Sequence, residues 1–346
     1  MRRMPTLTVA LPRIVIVVTL LTCLIAPLYA QQQPPAPPPL NTYALSHLFA
    51  LPNATTTRLA GMGGFFTCIK DNGFANPAFA GTLEESNAVA RISQTDTDSG
   101  LKLTGSQMSF AIPLADGGRG IQITHFRLGS DEATLSINGQ QAVVDVDEND
   151  LSVHYGHRYN DRWVFGVAGS PQLKTDTTFA NPADGSQVGK IHSDAGFGYR
   201  LGALRELEGG GWAGLVYDRY EEDVTGSGPL YGTGMSAEFR SEEWGIGVSR
   251  PLTDTVMGAI EWQQLESKGA GTKVGDSGIR FGVEAQVGPW WAVRAGSNDG
   301  ALSLGAEFDN GKYSMEYAYI DDWNEDAAGA YLGGSTTHQL AIRASW

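Results

Sequence analysis

The chain has 346 residues, 18% of them charged, with 44 Gly, 12 Tyr, 8 Trp and a formal net charge of −14. That acidic balance argues against nucleic-acid binding, which needs basic patches. Mean hydropathy is −0.18, and no run is long and apolar enough for a transmembrane helix, so a membrane form could only be a barrel, whose strands keep one face for a polar lumen.

Arg2, Arg3 and Arg13 precede an apolar run from Ile14 to Ile25, then Pro27-Leu28-Tyr29-Ala30 and Gln31-Gln32-Gln33. This predicts a secretory signal peptide over 1–30. Cys23 follows Thr22 and is followed by more apolar residues, which argues against lipidation. Loss of the leader removes three arginines and no acid, which moves the net charge from −14 to −17. Cys68 is then the sole cysteine, and an internal disulfide is excluded. Residues 31–40 form a Gln/Pro-rich extended linker. Residues 41–86 are rich in small residues and lack a sustained period of two; 87–346 carry that period throughout.

Fourteen strands are predicted: 87–95, 103–114, 119–129, 149–159, 162–169, 190–202, 211–221, 235–250, 255–266, 276–287, 290–297, 301–309, 312–321 and 336–346. In the clearest, one face is apolar and the other polar or Gly: Ile279, Phe281, Val283 and Ala285 alternate with Arg280, Gly282 and Glu284, and Ile191, Phe197, Tyr199 and Leu201 oppose His192, Asp194 and Arg200. The phase blurs near His125 and slips between Phe239 and Trp244, where a bulge is expected. Tight links such as Asp116-Gly117-Gly118 and Asp309-Asn310-Gly311 alternate with long ones at 130–148, 170–189, 222–234, 267–275 and 322–335; 96–102 and 298–300 are short exceptions. Sorting of short turns to one side is a membrane-barrel pattern, which a soluble sandwich has no reason to show. Tyr155, Tyr159, Trp163, Trp212, Trp244, Trp262, Trp290, Trp291, Trp323 and Trp346 suit interfacial girdles.

The final strand presents Leu340, Ile342, Ala344 and Trp346 on one face and Gln339, Arg343 and Ser345 on the other. It resembles the ending read by the barrel-assembly machinery, with Leu340, Ile342 and Trp346 as the signal. By parity Arg158, Asp194, Arg200, Arg280, Glu284, Arg294, Glu307, Glu316 and Arg343 face the lumen. There they form a charge network, structural or lining a solute path. None of the six histidines lies at metal-ligand spacing, and G-x-S-x-G and Walker patterns are absent. Ser152 and His154 share a face, but polar faces pair Ser with His by chance far more often than for catalysis. No enzyme, metal or cofactor is expected.

Arg58, Gly61-Met62-Gly63-Gly64, Asp71 and Asn76-Pro77-Ala78 resemble the start of mature FadL-type and PorV-type outer-membrane proteins, though Ala75 stands where that family usually has an aromatic. Val293-Arg294-Ala295-Gly296, Leu302 to Ala306 and Tyr313 to Tyr319 resemble the family's closing strands, with Glu316 where Asp is frequent. The glycines permit close approach to a wall and Asn76-Pro77 is a turn former. The resemblance implies an all-β transmembrane antiparallel barrel of about 14 strands, with residues 41–86 folded in as a plug and 87–346 forming the wall.

It further implies a bacterial outer-membrane location, a periplasmic C-terminus, lipid and lipopolysaccharide as surroundings, and passive uptake of a hydrophobic or amphipathic ligand. The alternatives are a PorV-like barrel serving secretion or surface assembly through a secreted-protein partner, for which acidic loops and length speak, and a purely structural barrel.

Overall fold

The computed structural model describes residues 56–64, 67–71, 75–114, 117–131, 133–137, 140–193, 196–229, 234–269, 272–298, 300–321 and 334–346. The expected signal peptide and linker, Asp194 and Trp323 lie outside them. After a short helix α1 (Thr57–Ala60) and a 3-10 turn (Pro77–Thr82) come β1 (Asn87–Thr97), β2 (Lys102–Pro113), β3 (Arg119–Asp131), β4 (Ala133–Ile137), β5 (Gln140–Arg158), β6 (Trp163–Ala180), β7 (Gln187–Ser193) and β8 (Phe197–Glu206). The wall continues with β9 (Trp212–Ser227), β10 (Met235–Thr253), β11 (Val256–Gly269), β12 (Thr272–Gln286), β13 (Trp291–Asn298), β14 (Ala301–Asp309), β15 (Tyr313–Asp321) and β16 (Ser335–Ser345).

All pairings are antiparallel, and β1 closes on β16 from Asn87↔Ser345 to Thr97↔Ser335. Ser86 and Trp346 extend this seam with two backbone hydrogen bonds, at 3.1 and 2.9 Å. β4 pairs only with β5. β7 and β8 share one position between β6 and β9. The wall is thus a closed barrel of fourteen strand positions.

Two height zones explain the sequence pattern. Near the short turns the outward residues are apolar and exposed, as with Phe110, Ile112, Ile123, Val153, Ile246 and Ile260, while inward ones such as Ser109, Gln122, Thr124 and Ser152 are polar and buried. Toward the long hairpins the faces exchange character. On β2, Lys102, Thr104 and Ser106 point out and Leu103 points in; on β3, Arg127 points out and Phe126 and Leu128 point in. The lower outer face is built for hydrocarbon, and the upper outer face for water.

Three expectations are corrected by this exchange. The slip between Phe239 and Trp244 is no bulge: β10 keeps continuous register with β9 and β11 there, and its shift lies at Pro251/Thr253. Phe239 is apolar because it faces the upper interior, and Trp244 because it faces the lower exterior. The blur at His125 has the same cause. The long links at 130–148, 170–189 and 267–275 are mostly strand, and 222–227 of the link at 222–234 is strand too, since β4 to β7 and β9 to β12 run on past the apolar belt.

The strand expected over 190–202 divides into β7 and β8. Ile191 is buried inside whereas Phe197 and Leu201 are exposed outside, so the alternation shifts across the break. Trp212 leaves the girdle: it sits edge-on to Phe79 at 6.3 Å, with Arg158 over its ring. Tyr159, Trp163, Trp290, Trp291 and Trp346 stay exposed near the short-turn end. Tyr199, Tyr217 and Trp244 cluster near the upper margin of the belt.

Ile123→Arg, in mid-belt between Phe110 and Val153, should cost roughly 2–4 kcal/mol in a bilayer-folding titration, and outward Thr104→Arg about 0–1 kcal/mol. Equal costs would contradict the assignment of the belt.

Candidate functional site

The described residues between 56 and 86 run round the inside of the wall. α1 lies against β14, β15 and β16. Gly61 then meets Gly305 of β14, and Met62 and Gly63 meet Gly296 of β13. The Gly64 carbonyl accepts from Arg280 of β12 at 3.0 Å. Thr67 donates through N–H, at 2.8 Å, and hydroxyl to Glu261 of β11. The Cys68 carbonyl accepts from Ser249 of β10 at 2.6 Å. Asn76 sits on Gly202 of β8, Ala78 on Gly166 of β6, Gly81 on Gly156 of β5 and Ala80 on Gly120 of β3. The chain then enters β1. It has met the wall strands in descending order, as a collar.

Inward glycines make this fit. A Cβ on Gly166, Gly156, Gly120 or Gly296 would come within 2.1–2.2 Å of collar backbone, and one on Gly214 within 1.9 Å of the Thr67 carbonyl oxygen. Gly63, at φ 91, uses left-handed backbone to pass Ser297 and Phe281.

The collar also reaches across the lumen. Arg58 donates to the Lys70 carbonyl at 2.6 Å, and Thr56 donates to Asp71. Leu59, Met62, Cys68, Ile69 and Ala75 form one buried apolar cluster with Ala259. Asn76 is the pivot: its amide donates to the Thr67 carbonyl at 2.9 Å while its side-chain oxygen accepts from Ala78 N at 3.0 Å, starting the 3-10 turn at Pro77.

The sequence-derived charges separate into groups. Glu284 takes both Arg58 (2.7 and 2.9 Å) and Arg294 (2.6 Å). Arg294 also contacts Glu307, with Glu316 at 3.9 Å, and Arg343 bridges Glu307 (3.7 Å) and Asp309 (2.5 Å). Register places Glu284 opposite Arg294 and Glu307 opposite Glu316. Arg280 stands apart with Glu261 at 3.9 Å. Arg200 pairs with Asp218 and donates to the Ala75 carbonyl at 3.3 Å. Arg158 lies at the short-turn rim with Glu206 at 3.3 Å.

Sequence reasoning missed Glu261, Asp218, Ser249 and the wall glycines. Parity marks Glu261, between Ile260 and Trp262, as inward; the glycines were read as merely part of the polar face. Among the described residues no group of His, Cys, Asp and Glu is suited to a metal ion.

No family model and no curated protein sequence matches the chain. Among solved structures, the toluene transporter TodX of Pseudomonas putida matches with a TM-score of 0.58 and 10% identity, over 83% of this chain and 96% of that one. A FadL homologue from Pseudomonas aeruginosa matches with a TM-score of 0.57 and 14% identity, over 84% and 98%. The chain has the FadL-type barrel fold.

Gly214→Val should lift Thr67 and Cys68 off the wall and expose the buried Cys68 thiol to a water-soluble maleimide, with Gly129→Ala, which meets nothing nearer than 3.8 Å, as control. Unchanged labelling of a folded variant would refute the seating. Glu261→Ala strips Thr67 of two hydrogen bonds and Arg280 of its carboxylate, and should destabilise the barrel by about 3–5 kcal/mol in urea titrations in detergent.

Proposed function

We propose that this barrel resides in a bacterial outer membrane, with the short turns and the C-terminus on the periplasmic side, and passively admits hydrophobic or amphipathic small molecules. The observation that carries the reading is the exchange of character inside the wall. An open water channel keeps a polar interior, whereas the upper interior here is an apolar layer of Leu101, Leu103, Phe126, Leu128, Val144, Val146, Phe179, Ile191, Val224 and Phe239. The collar's apolar cluster occupies the lumen below it, which disfavours bulk flow of water and ions. Between the two on β3 and β5 lie the buried polar residues Gln122, Thr124 and His154, the next inward positions above the Gly120 and Gly156 seats. A solute with an apolar body and one polar end suits this succession better than a bare hydrocarbon.

The fold neighbours support the class: one is a toluene transporter. The PorV-like reading keeps one argument, the acidic long-hairpin end with Asp96, Asp98, Asp131, Asp145, Asp147 and Asp223, where a basic secreted partner could dock.

In proteoliposomes the protein should pass little ionic current yet speed the entry of a long-chain fatty acid more than that of toluene. Phe239→Glu, which puts a charge in the apolar layer, should slow that entry several-fold. Porin-like conductance, or entry no faster than through protein-free vesicles, would overturn the reading.

A further inference from the structure

Three inward carboxyl groups lie where the polar and apolar inner layers meet. Glu148 and Asp150 share the inner face of β5, and Glu222 lies on that of β9. Glu148 and Glu222 are each 7% exposed. Glu148 and Asp150 stand two residues apart on that face, close enough for each to act on the other's protonation. Glu222 accepts from Ser193 at 2.5 Å and from the Tyr220 hydroxyl at 3.2 Å. The apolar layer packs beside them, with Leu128 opposite Glu148, Phe126 opposite Asp150 and Phe239 opposite Glu222.

This height is above the apolar belt, since the outward neighbours are Asp147, Asn149, Glu221 and Asp223. The charged groups around it are engaged on the outer face: Arg127 with Asp147, Lys190 and His192 with Asp176, and Arg219 and Arg240 with Glu221 and Glu242. His125 of β3 faces outward and acts on Asp150 through its charge.

Two buried carboxylates held side by side repel, so the pair favours keeping one proton. Burial, with Asp150 and Glu222 nearby, pushes Glu148 well above the usual carboxylate range. The wall has slack at this height: β6 pairs with β8 over Trp163–Pro171 and with β7 over Thr175–Ala180.

We propose that Glu148, Asp150 and Glu222 form a proton-controlled latch: protonated, they hold the β5–β9 arc closed beneath the apolar layer, and ionised, they repel one another, draw in water and loosen it. The raised group gives the sign. Its contribution is complete at acid pH and is lost as pH rises through the raised value. The latch does not depend on which solute the barrel takes.

The test uses the full-length protein in proteoliposomes, with Val144→Cys reporting on the apolar layer and outward Thr104→Cys correcting for the thiol's own ionisation; the parent, with buried Cys68, sets the background. The normalised maleimide rate at position 144 should rise at least about tenfold between roughly pH 5.5 and pH 8.5, and should be flat with Glu148→Gln and Glu222→Gln. A flat ratio in the parent, or the same rise in the double variant, would overturn the latch. Should the double variant not fold, Asp150→Asn alone must reduce the rise; an unreduced rise would count against it equally.

Discussion

Backbone seated on backbone is the constraint on which the interior depends. At Gly120, Gly156, Gly166, Gly202, Gly214 and Gly296 the wall has no Cβ where the collar passes, and an added one would collide. Such contacts bring peptide groups of two layers close enough for Glu261, Ser249 and Arg280 to reach collar N–H, hydroxyl and carbonyl groups from the wall. A collar held this way meets its buried polar requirements partly from within itself and partly from the wall. Moving it any distance would strand Thr67 and Cys68, both buried and both hydrogen-bonded to the wall. It is therefore better described as part of the wall than as a cork, and a solute path is more easily opened by rearranging side chains than by withdrawing the segment.

The second organising fact is the exchange of faces with height. A strand that crosses from bilayer to water reverses what its outer residues need, and here the inner residues reverse too. Below, a polar interior holds the ion pairs; above, an apolar interior closes the end where the strands run beyond the belt. A barrel long enough to project can thus carry a second hydrophobic core outside the membrane, built from the same strands.

Architecture was more legible than the site. Alternation and turn sorting were sufficient for the barrel and its strand number, because a period of two survives wherever one face stays apolar. It fails where the apolar face changes sides, which is why β4, the upper halves of β5 and β6, and β9 beyond Glu221 read as loops. Parity puts Glu284, Arg294, Glu307, Glu316 and Arg343 on inward faces, yet their separation from Arg280, Arg200 and Arg158 depends on which strands adjoin. Glu261 and the glycine ledge were missed because a contact between two backbones leaves only an absence of side chains in the sequence.

Collar and barrel seam are also one construction. α1 enters against β14, β15 and β16, and the collar leaves into β1, which pairs with β16. The two ends of the collar thus bracket the seam. Arg58 strengthens one side by joining Glu284, through which Arg294, Glu307 and Arg343 tie β12, β13, β14 and β16 together. Ser86 strengthens the other by pairing its backbone with Trp346. In an unclosed sheet β1 and β16 would each present a free edge, and the collar would lack half of its partners. Closing the wall and seating the collar therefore favour one another. Part of the buried charge shares that coupling: Arg58 meets Glu284, Glu261 meets Thr67 and Arg280 meets the Gly64 carbonyl only with the collar seated, so the desolvation cost of these groups is offset most fully in the closed state and weighs against partly closed ones.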